Sequence, residues 1–145
     1  MNESPGHSTE QQEAEEWLID SFSKKLGTKL TKRRFSLQEG SWIEVDGFCE
    51  SPLILCEAWA HIGPPKSAQK YKVMTDAFKL LFVNTLAEGT GKRILLFGDH
   101  QAAAHFEGKS WMAQCLRKNN IMIEVVDLPS ELRARVLRAQ ERQYR

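Results

Sequence analysis

The sequence predicts an α/β protein in which helices flank a mixed β-sheet. Three short strand candidates follow one another between residues 28 and 60, separated only by turn signals. Two further strand candidates, near residues 93 and 121, alternate with helical segments. Strands joined by turns pair in antiparallel fashion, whereas strands joined through a helix pair in parallel, so the sheet should contain both kinds of pairing.

Turn and helix-end signals delimit the predicted elements. Apolar residues from Ala14 to Leu26 recur at helical spacing, and Gly27 is a natural helix end. Glu39-Gly40 and Ser51-Pro52 separate the first three strands, and Gly63-Pro64-Pro65 breaks the chain before a long helix. The predicted elements are helix 10–26, strands 28–38, 42–48 and 53–60, helix 66–87, strand 93–97, helix 110–118, strand 121–126 and helix 130–143.

The remaining segments are predicted to be loops. Residues 1–9 should form a flexible N-terminal tail, which leaves residues 10–145 as a single domain. Residues 98–108 contain Asp99, His100 and His105. A histidine pair near an acid can bind a metal, but this spacing matches no specific motif, so the segment is interpreted as a surface loop leading into the start of a helix.

Composition excludes several classes of protein. The 145 residues are 41% hydrophobic and 27% charged, which is typical of one globular domain. No apolar run approaches the roughly 18–20 residues that span a bilayer, so we expect no membrane association. Without a targeting segment the expected location is the cytoplasm. The cysteines, Cys49, Cys56 and Cys115, are odd in number and lack CxxC spacing, which argues against a disulfide framework or a zinc site.

Two acids stand within strand segments that otherwise suit a core, Asp46 and Glu57. If the strands that carry them pair through the Ser51-Pro52 turn, the two carboxylates can lie side by side. Neighbouring carboxylates repel one another unless a cation neutralises them, and Mg²⁺ is commonly held by one or two carboxylates with water and phosphate oxygens. The alternative is that Asp46 belongs to an Asp-Gly turn and Glu57 faces solvent.

The element order and the motifs IEVDG and LCEAW resemble the PD-(D/E)xK nuclease superfamily, which has a restriction-endonuclease-like αβββαβ core. The resemblance covers roughly residues 10–127. It implies a nuclease that acts on phosphodiester bonds, with Asp46 and Glu57 as ligands of Mg²⁺ or Mn²⁺. Members commonly carry a further glutamate on the first helix, and Glu15 lies on the apolar face of that helix.

The family's lysine is replaced here by Trp59. The resemblance allows the lysine to have moved to the following helix. On a helical wheel of residues 66–81, Lys66 and Lys70 fall on the core-facing side, whereas Lys72 and Lys79 fall outside it. Lys66, then Lys70, are therefore the predicted replacements, with Gln69 as a polar neighbour that contacts nucleic acid. Plain loss of the lysine is the open alternative, because lysines at helix ends also extend into water.

A basic cluster indicates a nucleic-acid partner. Its members are Lys29, Lys32, Arg33 and Arg34, and such a cluster can follow a phosphate backbone or form a solvated face. A domain this small would take base specificity from a homodimer or a partner protein. Two alternatives stay open: a catalytically inactive nuclease fold that binds nucleic acid or protein, and an α/β protein whose likeness to nucleases is accidental.

Overall fold

The computed structural model describes residues 8–143 and confirms an α/β fold with a mixed sheet. Ten helices and strands make up the described part of the chain, apart from one short turn of 3₁₀ helix. In chain order they are α1 (Thr9–Leu26), β1 (Thr31–Ser36), β2 (Trp42–Cys49), β3 (Ile54–Trp59), α2 (Ser67–Leu86), β4 (Lys92–Phe97), α3 (His100–Glu107), α4 (Trp111–Lys118), β5 (Ile121–Val125) and α5 (Ser130–Gln143). Among the described residues, none of the helices is long and apolar enough to cross a membrane.

The five strands lie in the sheet in their chain order, β1-β2-β3-β4-β5. The first two pairings, β1 with β2 and β2 with β3, are antiparallel. The next two, β3 with β4 and β4 with β5, are parallel. This is the arrangement expected from tight turns followed by helical crossovers, and it makes β3 an interior strand that is buried along its whole length.

Helices cover both faces of the sheet. Leu55 and Trp59 of β3 belong to the apolar core that also contains residues of α2, α3 and α4. Cys56 and Ala58 point to the opposite core, which contains residues of α1 and α5. Because side chains alternate along a strand, the sheet separates the two cores, and the helices on each face cover the side chains that point to that face.

The start of the domain differs from the predicted boundary at residue 10. Ser8 is buried, and its hydroxyl oxygen accepts a hydrogen bond from the backbone N–H of Gln11, which caps α1. The helix therefore begins at Thr9, and Ser8 and Thr9, the last two residues of the predicted tail, belong to the folded domain. The rest of that tail, residues 1–7, lies outside the described residues. Gly27 ends α1 in the left-handed conformation at φ 72°, as its position predicted.

The interpretation of residues 98–108 as a surface loop was wrong, because the segment forms α3. Ala102 and Phe106 are buried against the sheet, and Asp99 caps the helix by accepting from the N–H of Ala102. Asp99 is itself buried, accepts from the N–H of Gly63 and pairs with Arg133. An eight-residue helix rich in alanine offers little apolar periodicity, so the sequence alone indicated a loop.

A carboxylate and lysine cluster where two strands diverge

A β-bulge positions Asp46. Thr31 of β1 lies opposite Phe48, and Arg33 lies opposite Val45, so the single residue Lys32 faces both Asp46 and Gly47. A bulge of this kind re-aims side chains and bends the strand. Gly47 suits the position because an added Cβ would lie 3.1 Å from the Ile19 side chain and 3.2 Å from Cβ of Leu30. The strand can therefore pass close to α1 while the Asp46 side chain turns toward β3.

Beyond the bulge, β2 and β3 diverge. Their pairing runs from Cys49 and Ile54 to Gly47 and Cys56. The next N–H groups along that edge of β3 bond to side chains instead of to a strand. Ala58 N donates to Asp46 Oδ2 at 2.9 Å, and Ala60 N donates to Glu15 Oε2 at 3.2 Å. Two carboxylates, one from β2 and one from α1, thus replace the missing strand partners and are held in fixed positions.

Glu57 lies beside Asp46 and is almost completely buried, at 5% exposure. Its carboxyl group shares a hydrogen bond with Asp46 and contacts the ammonium group of Lys79 of α2. Burial, the hydrogen bond to Asp46 and the negative charge of Asp46 raise the pKa of Glu57 to about 10, while the Lys79 ammonium opposes the shift. The prediction that these two acids meet is borne out by this contact, and the alternative in which Glu57 faces solvent was wrong.

A column of charged side chains on α2 faces this pair. Lys72, Asp76 and Lys79 follow one another at helical spacing, and Lys72 Nζ lies 2.9 Å from Asp76 Oδ2. Burial works against the charged form of Lys72, but Asp76, Glu15 and Glu57 outweigh it and raise the pKa of the Lys72 amine. The cluster therefore combines carboxylates from α1, β2, β3 and α2 with two ammonium groups.

The helical wheel was wrong about the lysines. It placed Lys79 away from the core, but Lys79 contacts Glu57, and the place beside Glu57 belongs to it rather than to Lys66 or Lys70. The buried face of α2 includes Val83 and Asn84, which lie beyond the residues that the wheel covered. Val83 is seven residues from Asp76, so the buried face extends to the side of the helix that carries the column of Lys72, Asp76 and Lys79.

The predicted lysines and their polar neighbour lie at the first turn of α2. Lys66 is the residue that precedes the helix, and its N–H donates to Oε1 of Gln69 at 2.8 Å, so the Gln69 side chain takes part in capping. The charge of Lys66 acts on His61, and that of Lys70 acts on His105. A role for Lys66, Lys70 or Gln69 toward nucleic acid stays a prediction.

Trp59 is buried next to the cluster and contacts two of its neighbours. Its indole is 4% exposed, and the His61 ring stacks on it with centroids 4.6 Å apart. Lys72 Nζ lies 5.8 Å from the centroid of the same indole, within the range of a cation–π contact. Burial lowers the pKa of His61 to about 4, so the imidazole is neutral at pH 7.

A groove of about 670 Å³ lies beside the cluster, between α1 and strands β1 and β2. Asp46 and Glu15 line it, together with Lys29 and Lys32. The groove therefore brings two of the predicted nucleic-acid-binding lysines next to two of the predicted catalytic acids. Its lining also includes Glu16, Asp20 and Glu44, so carboxylates outnumber the two lysines and the protein side chains alone give the groove a net negative charge.

The two predicted arginines are exposed on β1 and do not line the groove. The Arg33 guanidinium lies 5.0 Å from the ring centroids of both Phe35 and Phe48. The Arg34 guanidinium lies 3.8 Å from the Trp42 ring and pairs with Glu44. Both guanidinium groups are thus held by neighbouring rings at the edge strand of the sheet.

The donor chemistry of the cluster fits a hard divalent cation with few protein ligands. Asp46 and Glu57 offer carboxylate oxygens, and their hydrogen bond and mutual repulsion are the features that a divalent charge between them would relieve. Within residues 8–143 no group of three or more His, Cys, Asp or Glu side chains is arranged to hold a metal. An ion at this place would therefore use two protein carboxylates and complete its coordination with water and substrate oxygens.

The fold and the cluster define the chain as an α/β protein with a carboxylate and lysine site where two strands of its sheet diverge. Comparison with protein-family models, with curated proteins and with solved structures found no match. The geometry of the site therefore carries the functional argument.

The raised pKa of Glu57 predicts how stability depends on pH. The group binds its proton more tightly in the folded chain, with a pKa of about 10 against 4.5. Its contribution therefore favours folding below pH 4.5 and is lost as the pH rises toward 10. A Glu57→Gln variant keeps a neutral hydrogen-bonding group at every pH. We expect it to be more stable than wild type at pH 8 by up to about 5 kcal/mol, because each pH unit above 4.5 costs wild type about 1.4 kcal/mol, and equally stable near pH 4.5.

Urea unfolding at several pH values measures this difference. Glu50→Gln removes an exposed carboxylate just after β2 and serves as the matched control, with little change expected at any pH. A Glu57→Gln variant that is less stable than wild type at pH 8 would show that Glu57 is ionised and stabilised by Lys79.

Proposed function

We propose that the protein is a Mg²⁺- or Mn²⁺-dependent nuclease that hydrolyses phosphodiester bonds. The observation that carries this proposal is the contact between the Asp46 and Glu57 carboxyl groups beside two α2 lysines. The order of the first six elements, αβββαβ, is the order on which the resemblance to the PD-(D/E)xK superfamily rests. Both acids belong to the positions that the resemblance indicated.

In this proposal Asp46 and Glu57 hold the metal ion. The ion, when bound, supplies Lewis-acid activation of the attacking water and of the scissile phosphate. Asp46 is oriented for this role by its hydrogen bond from Ala58 N, and Glu57 by the Lys79 ammonium. Glu15 Oε2, which is fixed by the N–H of Ala60, lies in the groove and is positioned to accept a proton or hold water there.

Lys72 takes the part of the lysine that is missing at position 59. Lys79 is about one-quarter exposed and is paired with the buried Glu57, whereas Lys72 is 42% exposed and therefore more accessible to a phosphate. The Lys72 amine also lies near the indole of Trp59 and is kept charged by the surrounding carboxylates. Trp59 thus supports a cation that comes from the neighbouring helix.

The groove between α1 and β1 is the proposed path of the nucleic-acid backbone. Lys29 and Lys32 would contact phosphates there, and Arg33 and Arg34 would extend the contact along the edge strand. Contacts of this kind fix the position of a backbone without reading bases, so sequence specificity would come from a second copy or from a partner protein.

A catalytically inactive nucleic-acid-binding module is the second candidate. The Lys79–Glu57 contact favours it, because the chain itself places a positive charge beside the buried carboxyl group. The two candidates differ in one result, which is cleavage.

The test is incubation of the purified protein with labelled single- and double-stranded DNA and RNA, with Mn²⁺, Mg²⁺ or EDTA. The proposal expects cleavage of at least one substrate that needs the metal and stops with EDTA. Metal-independent binding without any cleavage would support the inactive module and contradict the nuclease.

Binding to nucleic acid should depend on Lys29 and Lys32 through their charge. In EDTA, where cleavage is blocked, the Lys29→Ala/Lys32→Ala variant should bind more weakly to all sequences. The slope of log affinity against log salt should fall by about 1.4–1.8, because two phosphate contacts are lost. Fluorescence anisotropy at several salt concentrations measures the slope.

The matched control replaces two lysines that line another basic depression, Lys109 and Lys118. Their removal changes the net charge equally and should leave the slope close to that of wild type. Equal losses in both double variants would show that the groove between α1 and β1 has no special role.

A further inference from the structure

The outer face of α2 carries an exposed apolar stripe on the side away from the sheet. Its residues are spaced alternately by three and four, the spacing of a helix–helix seam, and all are exposed. They are Ala68, Tyr71, Thr75, Phe78, Phe82 and Thr85, and we call them the α2 seam. The exposed fractions are 61% for Tyr71, 74% for Phe78 and 44% for Phe82.

The α2 seam lacks the charge that a solvated helix face normally has. All six positions are uncharged over five turns, and the column of Lys72, Asp76 and Lys79 lies to one side, engaged with the acidic cluster. Exposed helix faces in monomeric proteins are usually polar, and contiguous apolar patches commonly mark interaction sites.

We propose that the α2 seam is the interface with a second copy of this chain, in which the two α2 helices pack antiparallel about a twofold axis at Phe78. This inference does not depend on the nuclease proposal. A twofold contact requires the same surface on both partners to be complementary to itself. The sequence of the seam meets that requirement in the antiparallel orientation.

The sizes of the side chains favour this orientation. Tyr71 and Thr85 are both seven residues from Phe78, so in the antiparallel pair each tyrosine faces a threonine of the other copy. Thr75 of one copy similarly lies close to Phe82 of the other, and only Phe78 meets its own equivalent. In a parallel pair each large residue would face itself and each threonine would face itself, which packs less evenly.

The exposed area suits a weak, concentration-dependent dimer. With about 150–250 Å² for each aromatic side chain, the exposed parts of Tyr71, Phe78 and Phe82 offer roughly 350 Å² per copy. The exposed Thr75, Thr85 and Leu86 add to this area. Stable interfaces bury about 800 Å² per partner and weak ones less than about 600 Å², so the α2 seam belongs to the weak class.

Sedimentation velocity over a wide concentration range tests the proposal. Wild type should form a dimer, and Phe78→Glu should raise the dimer dissociation constant by at least about 30-fold, because it places two charges together at the twofold axis. Trp111→Glu, at another aromatic side chain that is 65% exposed, is the matched control and should dimerise like wild type. Circular dichroism confirms that each variant is folded, and all substituted positions are exposed.

Cross-linking with a short bis-maleimide tests the orientation, in a chain with Cys49 and Cys115 replaced by alanine. Phe78→Cys should cross-link, as should Tyr71→Cys mixed with Thr85→Cys, whereas Tyr71→Cys alone should not. The proposal is overturned if the chain stays monomeric at every concentration or if the Phe78→Glu variant still dimerises. Either result would mean that the α2 seam is not the interface with a second copy. Efficient cross-linking of Tyr71→Cys alone overturns the antiparallel arrangement.

Discussion

The Asp46→Asn variant is expected to lose Mn²⁺ binding and metal-dependent cleavage while becoming more stable than wild type at pH 8. Asparagine can still accept the hydrogen bond from Ala58 N, so the place where the strands diverge should keep its shape. It removes one of the two negative ligands, and it removes the charge that helps to raise the pKa of Glu57. Function and stability should therefore change in opposite directions.

Calorimetric titration of Mn²⁺ into the variant measures the expected loss of metal binding. Loss of a direct carboxylate ligand should weaken binding by at least about 100-fold, since even indirect partners of metal sites cost 10–100-fold. Cleavage should fall by a similar factor or more at any fixed Mn²⁺ concentration. Urea unfolding at pH 8 measures the expected gain in the free energy of unfolding.

Glu44→Gln is the matched control for Asp46→Asn. Glu44 is in the same strand, lines the same groove and is paired with the exposed Arg34. Its neutralisation changes the net charge of the groove equally but leaves the Asp46–Glu57 contact intact. Equal loss of Mn²⁺ binding in both variants would mean that the groove attracts the ion only through its overall charge. An Asp46→Asn variant with unchanged Mn²⁺ binding would remove Asp46 from the site.

The meeting of Asp46 and Glu57 was predictable because it depends on local rules. Strand alternation and a short turn at Ser51-Pro52 suffice to bring residues on neighbouring strands together. The bulge at Asp46 and Gly47 was not predictable, because it results from how β1 pairs with β2 and how closely α1 approaches Gly47. The bulge and the divergence after Cys56 are what free the N–H groups of Ala58 and Ala60 to bind carboxylates.

The sequence alone could not predict which lysine of α2 lies beside Glu57. A wheel gives the faces of a helix but not which part of each face lies over the sheet, and Lys66 lies at the first turn, beside His61. The sequence signal for the lysines that lie near Glu57 is the spacing of Lys72, Asp76 and Lys79. An acid four residues after one lysine and three before another lies between them on one helix face, so the three side chains form a single charged column. Val83, seven residues after Asp76, is buried on the side of the helix that carries this column, and its burial is seen only in the folded structure.

The charged column of α2 and the α2 seam have different roles in this interpretation. One stripe contributes lysines to the acidic cluster, and the other is the α2 seam. Because both lie on one helix, a dimer formed through the seam would fix the position of Lys72 and Lys79 relative to the second copy. A seam variant that is monomeric but retains Mn²⁺ binding would show that the two tasks are separable.

Lys72→Met is expected to reduce cleavage by about 10²–10³-fold with Mn²⁺ binding retained. Methionine preserves the length of the stem and its packing on Trp59, but it removes the ammonium group near the Glu15 and Glu57 carboxylates. The effect should therefore appear in the chemical step, because the charge that builds on the phosphate would lose its nearest accessible cation. Single-turnover cleavage rates, measured beside Mn²⁺ titration of the same variant, separate these two effects.

Lys66→Met is the matched control on the same helix. It removes an equal charge at the N-terminal end of α2, where the backbone N–H of Lys66 and not its ammonium group makes the capping bond to Gln69. We expect its cleavage rate to stay within a few-fold of wild type. If Lys66→Met abolished cleavage and Lys72→Met did not, the lysine that stabilises the phosphate would be Lys66, at the N-terminal end of α2. Trp59 would then be a core residue that has no part in positioning this lysine. If neither variant changed the rate, the Lys79 ammonium, already in contact with Glu57, would be the cation left to stabilise the phosphate.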